Sequence, residues 1–107
     1  MSFHITHRYG TDERDPPLSK LPELLRELED RAEDTEHTSV SLTHDSEWNL
    51  GAYRGGFVIF ENLESDADTS RHMRDVPKAK IVEMWTQLSQ GQIDVVAAEA
   101  WIAGYPK

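Results

Sequence analysis

The residues of this chain that carry chemically useful side chains fall into a few groups, and spacing decides what each group offers. His4 and His7 stand three apart. On a helix that spacing lets two imidazoles share a metal ion; on a strand an odd offset sends them to opposite faces. Glu61, Glu64, Asp66 and Asp68 hold enough carboxylate oxygen for a hard cation. They lack the glycine at the sixth and the glutamate at the twelfth position of an EF-hand loop. Such a loop also presents carboxylates to a basic protein, and that reading is preferred to a metal. Ser41, His44 and Asp45 have the residue types of a nucleophilic triad, but no nucleophile elbow surrounds the serine. With 20 acidic residues, a chance carboxylate pair of glycosidase type is easy to nominate, so none is assigned. Arg71, Arg74, Lys78 and Lys80 cluster near a predicted helix start. There they either hold an anion or neutralise the acidic stretch 61–68. Gly55-Gly56 reads as a turn, since no phosphate-binding glycine motif accompanies it.

Those residues need elements to hold them. Over 2–9, Phe3, Ile5, His7 and Tyr9 alternate with Ser2, His4, Thr6 and Arg8, the period of a strand. The GTDERDPP stretch, 10–17, is charged and carries two prolines, so a loop is expected. Leu21, Leu24, Leu25 and Leu28, continued by Ala32, form the apolar stripe of a first helix, with Ser19 as its cap and Pro22 in its first turn. Residues 38–62 read as a three-stranded meander with turns near 44–47 and 54–56. Its last strand, from Phe57, is apolar on both faces at its start. That fits a strand covered on both sides or one buried against a partner. Pro77 opens a second helix with Ile81, Met84, Trp85 and Leu88 as its buried stripe, and Gly91 ends it. A short third helix follows over 92–101, and the last residues are expected to be irregular. Trp48, Trp85 and Trp101 are read as core, and any one left exposed as an interface anchor.

The expected fold class is therefore α+β. It is a small, mainly antiparallel sheet of three to four strands with helices packed on one face, a two-layer single domain over 1–107. At 107 residues there is room for one domain, and a chain of that length buries roughly two-thirds of its unfolded surface. Net charge is −9, which argues against broad contact with a phosphate backbone or an anionic membrane and is compatible with a basic partner. There is no cysteine, so disulfides and thiolate zinc sites are excluded. The opening residues lack the apolar segment of a signal peptide, and a cytoplasmic location is expected.

Four blocks, taken in order, carry a family likeness: VSLTHDSEWNL (40–50), GGFVIFENLE (55–64), RHMRDV (71–76), and the helical spacing of Trp85, Leu88 and Gly91 followed by Trp101. Together, over residues 38–104, they resemble the Imm1-type immunity proteins of bacterial polymorphic toxin systems. The resemblance implies a cytoplasmic α+β antitoxin that binds the C-terminal toxin domain of a secreted effector. It implies a toxin of the nucleic-acid deaminase class and no catalytic residues in the antitoxin.

The resulting expectation is a binding protein, not an enzyme. It needs no cofactor and no metal, and acts as a monomer or homodimer that occludes the active site of a basic toxin domain. The partner-binding residues expected are Asp45, Glu47, Tyr53, Arg54, Glu61, Glu64, Asp66 and Asp68, which fall at strand ends and in the acidic loop. The alternatives are a small metal-dependent hydrolase using the acidic loop with His44 or His72, and an acidic mimic of nucleic acid whose phosphate track is the acid-rich first helix.

Overall fold

Seven strands, rather than three or four, form one antiparallel sheet in the computed structural model, which describes residues 2–29, 39–65 and 69–104. The strands are β1 (Phe3–Thr6), β2 (Asp12–Arg14), β3 (Ser39–His44), β4 (Trp48–Tyr53), β5 (Phe57–Asn62), β6 (Arg71–Met73) and β7 (Ile102–Ala103). Their spatial order is β2-β1-β3-β4-β5-β6-β7. The helices are α1 (Lys20–Arg26), prolonged by a 3-10 turn at Glu27–Glu29, then α2 (Lys78–Ser89) and α3 (Ile93–Ala97). The α+β class and the antiparallel meander are as expected, and the strand number is corrected. Among the described residues, no helix is long and apolar enough to cross a membrane.

The three added strands are short and lack the alternating apolar pattern that marks a strand locally. β2 is Asp-Glu-Arg, inside the stretch read as a loop, and it forms because Ile5 pairs with Glu13 across a tight turn. β6 is Arg-His-Met and pairs with the otherwise open side of β5. β7, in the segment expected to be irregular, adds two residues beyond β6. Both sheet edges are thus brief, and β2 is wholly charged, which discourages pairing with other chains.

Period two sorts the strands into two faces. Phe3, Ile5, Val40, Leu42, Leu50, Ala52, Val58 and Phe60 point to one side and are buried. The helices close over them with Leu21, Leu24 and Leu25 of α1, Ile81, Met84, Trp85 and Leu88 of α2, and Val96 of α3. Trp85 is wholly enclosed, and its indole N–H donates to the Leu50 carbonyl at 2.9 Å, so α2 is fastened to the sheet by a polar bond as well as by packing. Trp48 and Trp101 are half-buried and both stack with Phe60, with ring centroids 4.7 and 5.4 Å away.

Helix boundaries follow local chemistry, with adjustments. Ser19 stands at the cap of α1 but its hydroxyl makes no capping bond. The helix tightens into the 3-10 turn after Arg26, and Ala32 lies outside the described residues. α2 begins after Pro77 and ends in a Schellman arrangement: the Gly91 amide donates to Leu88 and the Gln92 amide to Gln87, with Gly91 at φ +78. Gly56 is required for a different reason. A Cβ there would come within 2.8 Å of the Val76 carbonyl, because the β4–β5 turn lies against the start of α2.

Candidate partner-binding surface

The face turned away from the helices is ordered in three cross-strand rows. Thr6, Ser41, Gly51, Ile59, His72 and Ile102 run across the sheet in one. Arg14, His4, Thr43, Asn49 and Glu61 make the second, and Ser39, Tyr53 and Phe57 the third. Small and polar side chains occupy its middle, with Thr43 donating to the Asn49 amide oxygen at 2.8 Å. Apolar surface gathers toward β5, where Tyr53 and His72 pack on Phe57. Ile59 is the second open-face apolar residue of the doubly apolar strand start.

Gly51 stands at the centre of this face, in strand conformation, with only ordinary contacts to meet an added Cβ: the nearest are Asn49 Nδ2 and Tyr53 Cε1, both at 3.9 Å. Neither backbone geometry nor crowding requires glycine there. A glycine within a strand weakens it by roughly 0.5–1 kcal/mol relative to alanine. Glycines within strands occur at bulges, at tight bends and where a ligand or another backbone approaches closely, and the β4 register here has no bulge.

One end of the sheet is acidic. The β3–β4 turn closes with the Glu47 amide on the His44 carbonyl at 2.8 Å, and Glu47 itself adopts φ +72. The Ser46 amide donates to His44 Nδ1 at 3.1 Å. Nε2 of the same ring is buried beside Gly91, with no hydrogen-bond partner among the described residues. Beside this turn runs the segment after β5. The Leu63 amide donates to the Glu47 carbonyl at 2.9 Å, and the Asn62 side chain donates to the Ser46 carbonyl at 3.1 Å. The Asn62 carboxamide oxygen in turn accepts the amides of Glu64 and Ser65 at 3.0 and 3.1 Å. Glu47, Glu61 and Glu64 are brought together in this way. Asp66 and Asp68 lie outside the described residues.

The remaining predicted residues are placed elsewhere or engaged. Asp45 belongs to the same turn, but its carboxylate accepts the Ser2 amide at 3.0 Å and the Arg14 guanidinium at 2.9 Å. The Ser2 N–H first, and then Arg14, hold it below the ordinary aspartate range. Tyr53 and Arg54 stand at the opposite end of β4. Arg54 Nε donates to the Leu28 carbonyl at 2.8 Å, tying the β4–β5 turn to the 3-10 turn. Tyr53 and Arg54 share a cavity of about 410 Å³ with Leu25, Leu28, Val76 and Lys78.

The basic cluster is engaged by aromatic rings and by other acids. Arg71 lies over the Trp48 and Phe60 rings at 5.3 and 5.8 Å, and Arg74 over Phe57 at 5.5 Å. Lys78 pairs with Glu29, and Lys80 with Glu99 at 2.6 Å. Of the two histidines considered for hydrolysis, His44 is sealed in the core and His72 donates Nδ1–H to the Gly104 carbonyl at 2.7 Å. Among the described residues, no group of three or more His, Asp or Glu side chains is arranged to hold a metal ion. Sequence reasoning misses the contact of His7 with Glu13 and Glu27, six and twenty residues away, and the His4–His7 spacing carries no signal of it. It also misses Gly51, whose one signal is a glycine inside an otherwise regular strand pattern. Comparison with family models, with curated proteins and with solved structures gives no match to this chain.

Proposed function

We propose that this chain is an immunity protein, which binds the toxin domain of a secreted effector and blocks its active site. The observation that carries the reading is the pairing of an acidic sheet end, Glu47, Glu61 and Glu64, with an adjoining sheet face free of helices among the described residues. An enzyme acting on nucleic acid presents a basic substrate surface. A chain of net charge −9 is steered toward that surface, and its acidic end meets it first. The open face then supplies contact area. A stable complex needs about 800 Å² from each partner, which one sheet face and its flanking loops can offer. The family resemblance of residues 38–104 points the same way and supports a deaminase as the toxin. In this reading the protein is a cytoplasmic binder without catalysis or cofactor.

The test is capture of the partner from producing cells on tagged chain, followed by expression of the captured domain in a naive host with and without this chain. The expected result is one stoichiometric partner that is toxic alone and harmless with the chain. A captured set of many basic proteins, or a partner whose toxicity the chain leaves intact, overturns the reading.

A further inference from the structure

Just beyond β1, the His7 ring stands between two carboxylates. Nδ1 is 2.6 Å from Glu27 Oε2 and Nε2 is 3.0 Å from Glu13 Oε1. An ionised carboxylate only accepts hydrogen bonds, and a neutral imidazole has a single N–H. Both contacts are hydrogen bonds together only when the ring carries two protons. We propose that His7 is a proton-operated clamp: as imidazolium it pins the β1–β2 hairpin to the end of α1, and loss of one proton releases the Glu13 arm.

The surrounding charges define what moves. Glu13, from β2, also receives Lys20 Nζ of α1 at 3.2 Å. Glu27, from the 3-10 turn, also receives the Arg8 amide at 3.0 Å, while the Arg8 guanidinium donates to the Glu27 carbonyl at 2.9 Å. Each carboxylate therefore keeps a cation or amide after His7 is deprotonated, so the release is local. The single remaining proton stays on Nδ1, where the contact is shorter and Glu27 is held by its neighbours. Nε2 then faces Glu13 as one acceptor facing another, and that arm opens. β2 is an edge strand of three residues, still tied by its ladder to β1, by the Thr6 hydroxyl on Asp12 and by the Arg14–Asp45 pair, so losing the Glu13 arm loosens it without detaching it.

The titration of His7 is displaced upward. Burial disfavours the charged ring, but the Glu27 and Glu13 carboxylates outweigh it and raise the His7 value above the ordinary one. The clamp is complete below the ordinary histidine value of about 6.5 and is lost as pH rises through the raised value. The clamp works in the free chain, whatever partner the protein binds.

The experiment follows the histidine ring signals by NMR across pH 5 to 9, together with hydrogen exchange at two amides that bracket β2. These are Asp15 N–H, bonded to the Phe3 carbonyl, and His7 N–H, bonded to the Thr11 carbonyl. The expected result is a His7 midpoint above 6.5 that falls in both Glu13→Gln and Glu27→Gln. Across that midpoint the protection of the two amides, corrected for intrinsic base catalysis, drops by at least about threefold. In His7→Gln, whose amide offers a donor that does not titrate, the drop is absent. A His7 midpoint at or below 6.5 overturns the proposal. So does unchanged protection across the midpoint, or a drop that persists in His7→Gln.

Discussion

The Glu47 carbonyl accepts the Leu63 amide at 2.9 Å, and this bond makes one surface of the β3–β4 turn and the acidic segment that follows β5. Asn62 completes the joint from its side chain, donating to Ser46 and accepting from Glu64 and Ser65. Asn62→Ala removes these bonds at once and is expected to lower stability by about 1–2 kcal/mol, measured by urea denaturation. It should also loosen the acidic segment, read as faster amide exchange at Glu64 and Ser65. Unchanged exchange there would show that the segment is held by other means.

Gly51 separates a folding role from a binding role. Gly51→Ala is expected to fold normally and to gain about 0.5–1 kcal/mol, because its site is strand and the added methyl meets only ordinary contacts. Gly51→Leu projects bulk from the centre of the open face. It should weaken partner binding at least tenfold while leaving the urea midpoint near that of the wild type. Wild-type affinity in Gly51→Leu would move the interface off this face.

Trp85 tests the fastening of α2. Trp85→Phe removes the N–H that reaches the Leu50 carbonyl and leaves a gap in a fully buried site. The expected loss is about 2–3 kcal/mol by urea denaturation. A loss below 0.5 kcal/mol would mean that the bond contributes little to holding the helix.

Asp45 governs part of the acid response. Its folded value is depressed, chiefly by the Ser2 amide and then by Arg14. The contribution is therefore present above the ordinary aspartate value and disappears as pH falls through the depressed one. Because the pair with Arg14 is well exposed, salt screens it. Asp45→Asn should flatten the fall in stability below pH 4, measured as urea midpoint against pH. A curve parallel to wild type would assign the acid sensitivity to other carboxylates.

What was legible in the sequence follows from which signals are local. The meander and the helix stripes were readable because Val40, Leu42, Leu50, Ala52, Ile81, Met84, Trp85 and Leu88 repeat with the periods of the elements they build. β2, β6 and β7 were not, since two or three residues contain no period and are strands only by virtue of a neighbour. At the candidate site, Glu47 is recognisable as a strand-end acid and Glu61 and Glu64 as part of an acidic stretch, and the structure brings the two segments together. Tyr53 and Arg54 were grouped with them, yet they stand at the other end of β4, about 17 Å away at the rise of a strand. The His7 contacts depend on α1 folding back over the β1–β2 hairpin, which no spacing along the chain reveals.

The most direct test of the proposed function is titration of this chain into an activity assay of its captured toxin domain, at low and at moderate salt. The account predicts complete inhibition at one chain per toxin. It also predicts that Glu47→Lys with Glu64→Lys associates at least tenfold more slowly than wild type, with a flatter dependence on salt. A toxin that stays fully active with the chain bound, at any ratio, would contradict the account.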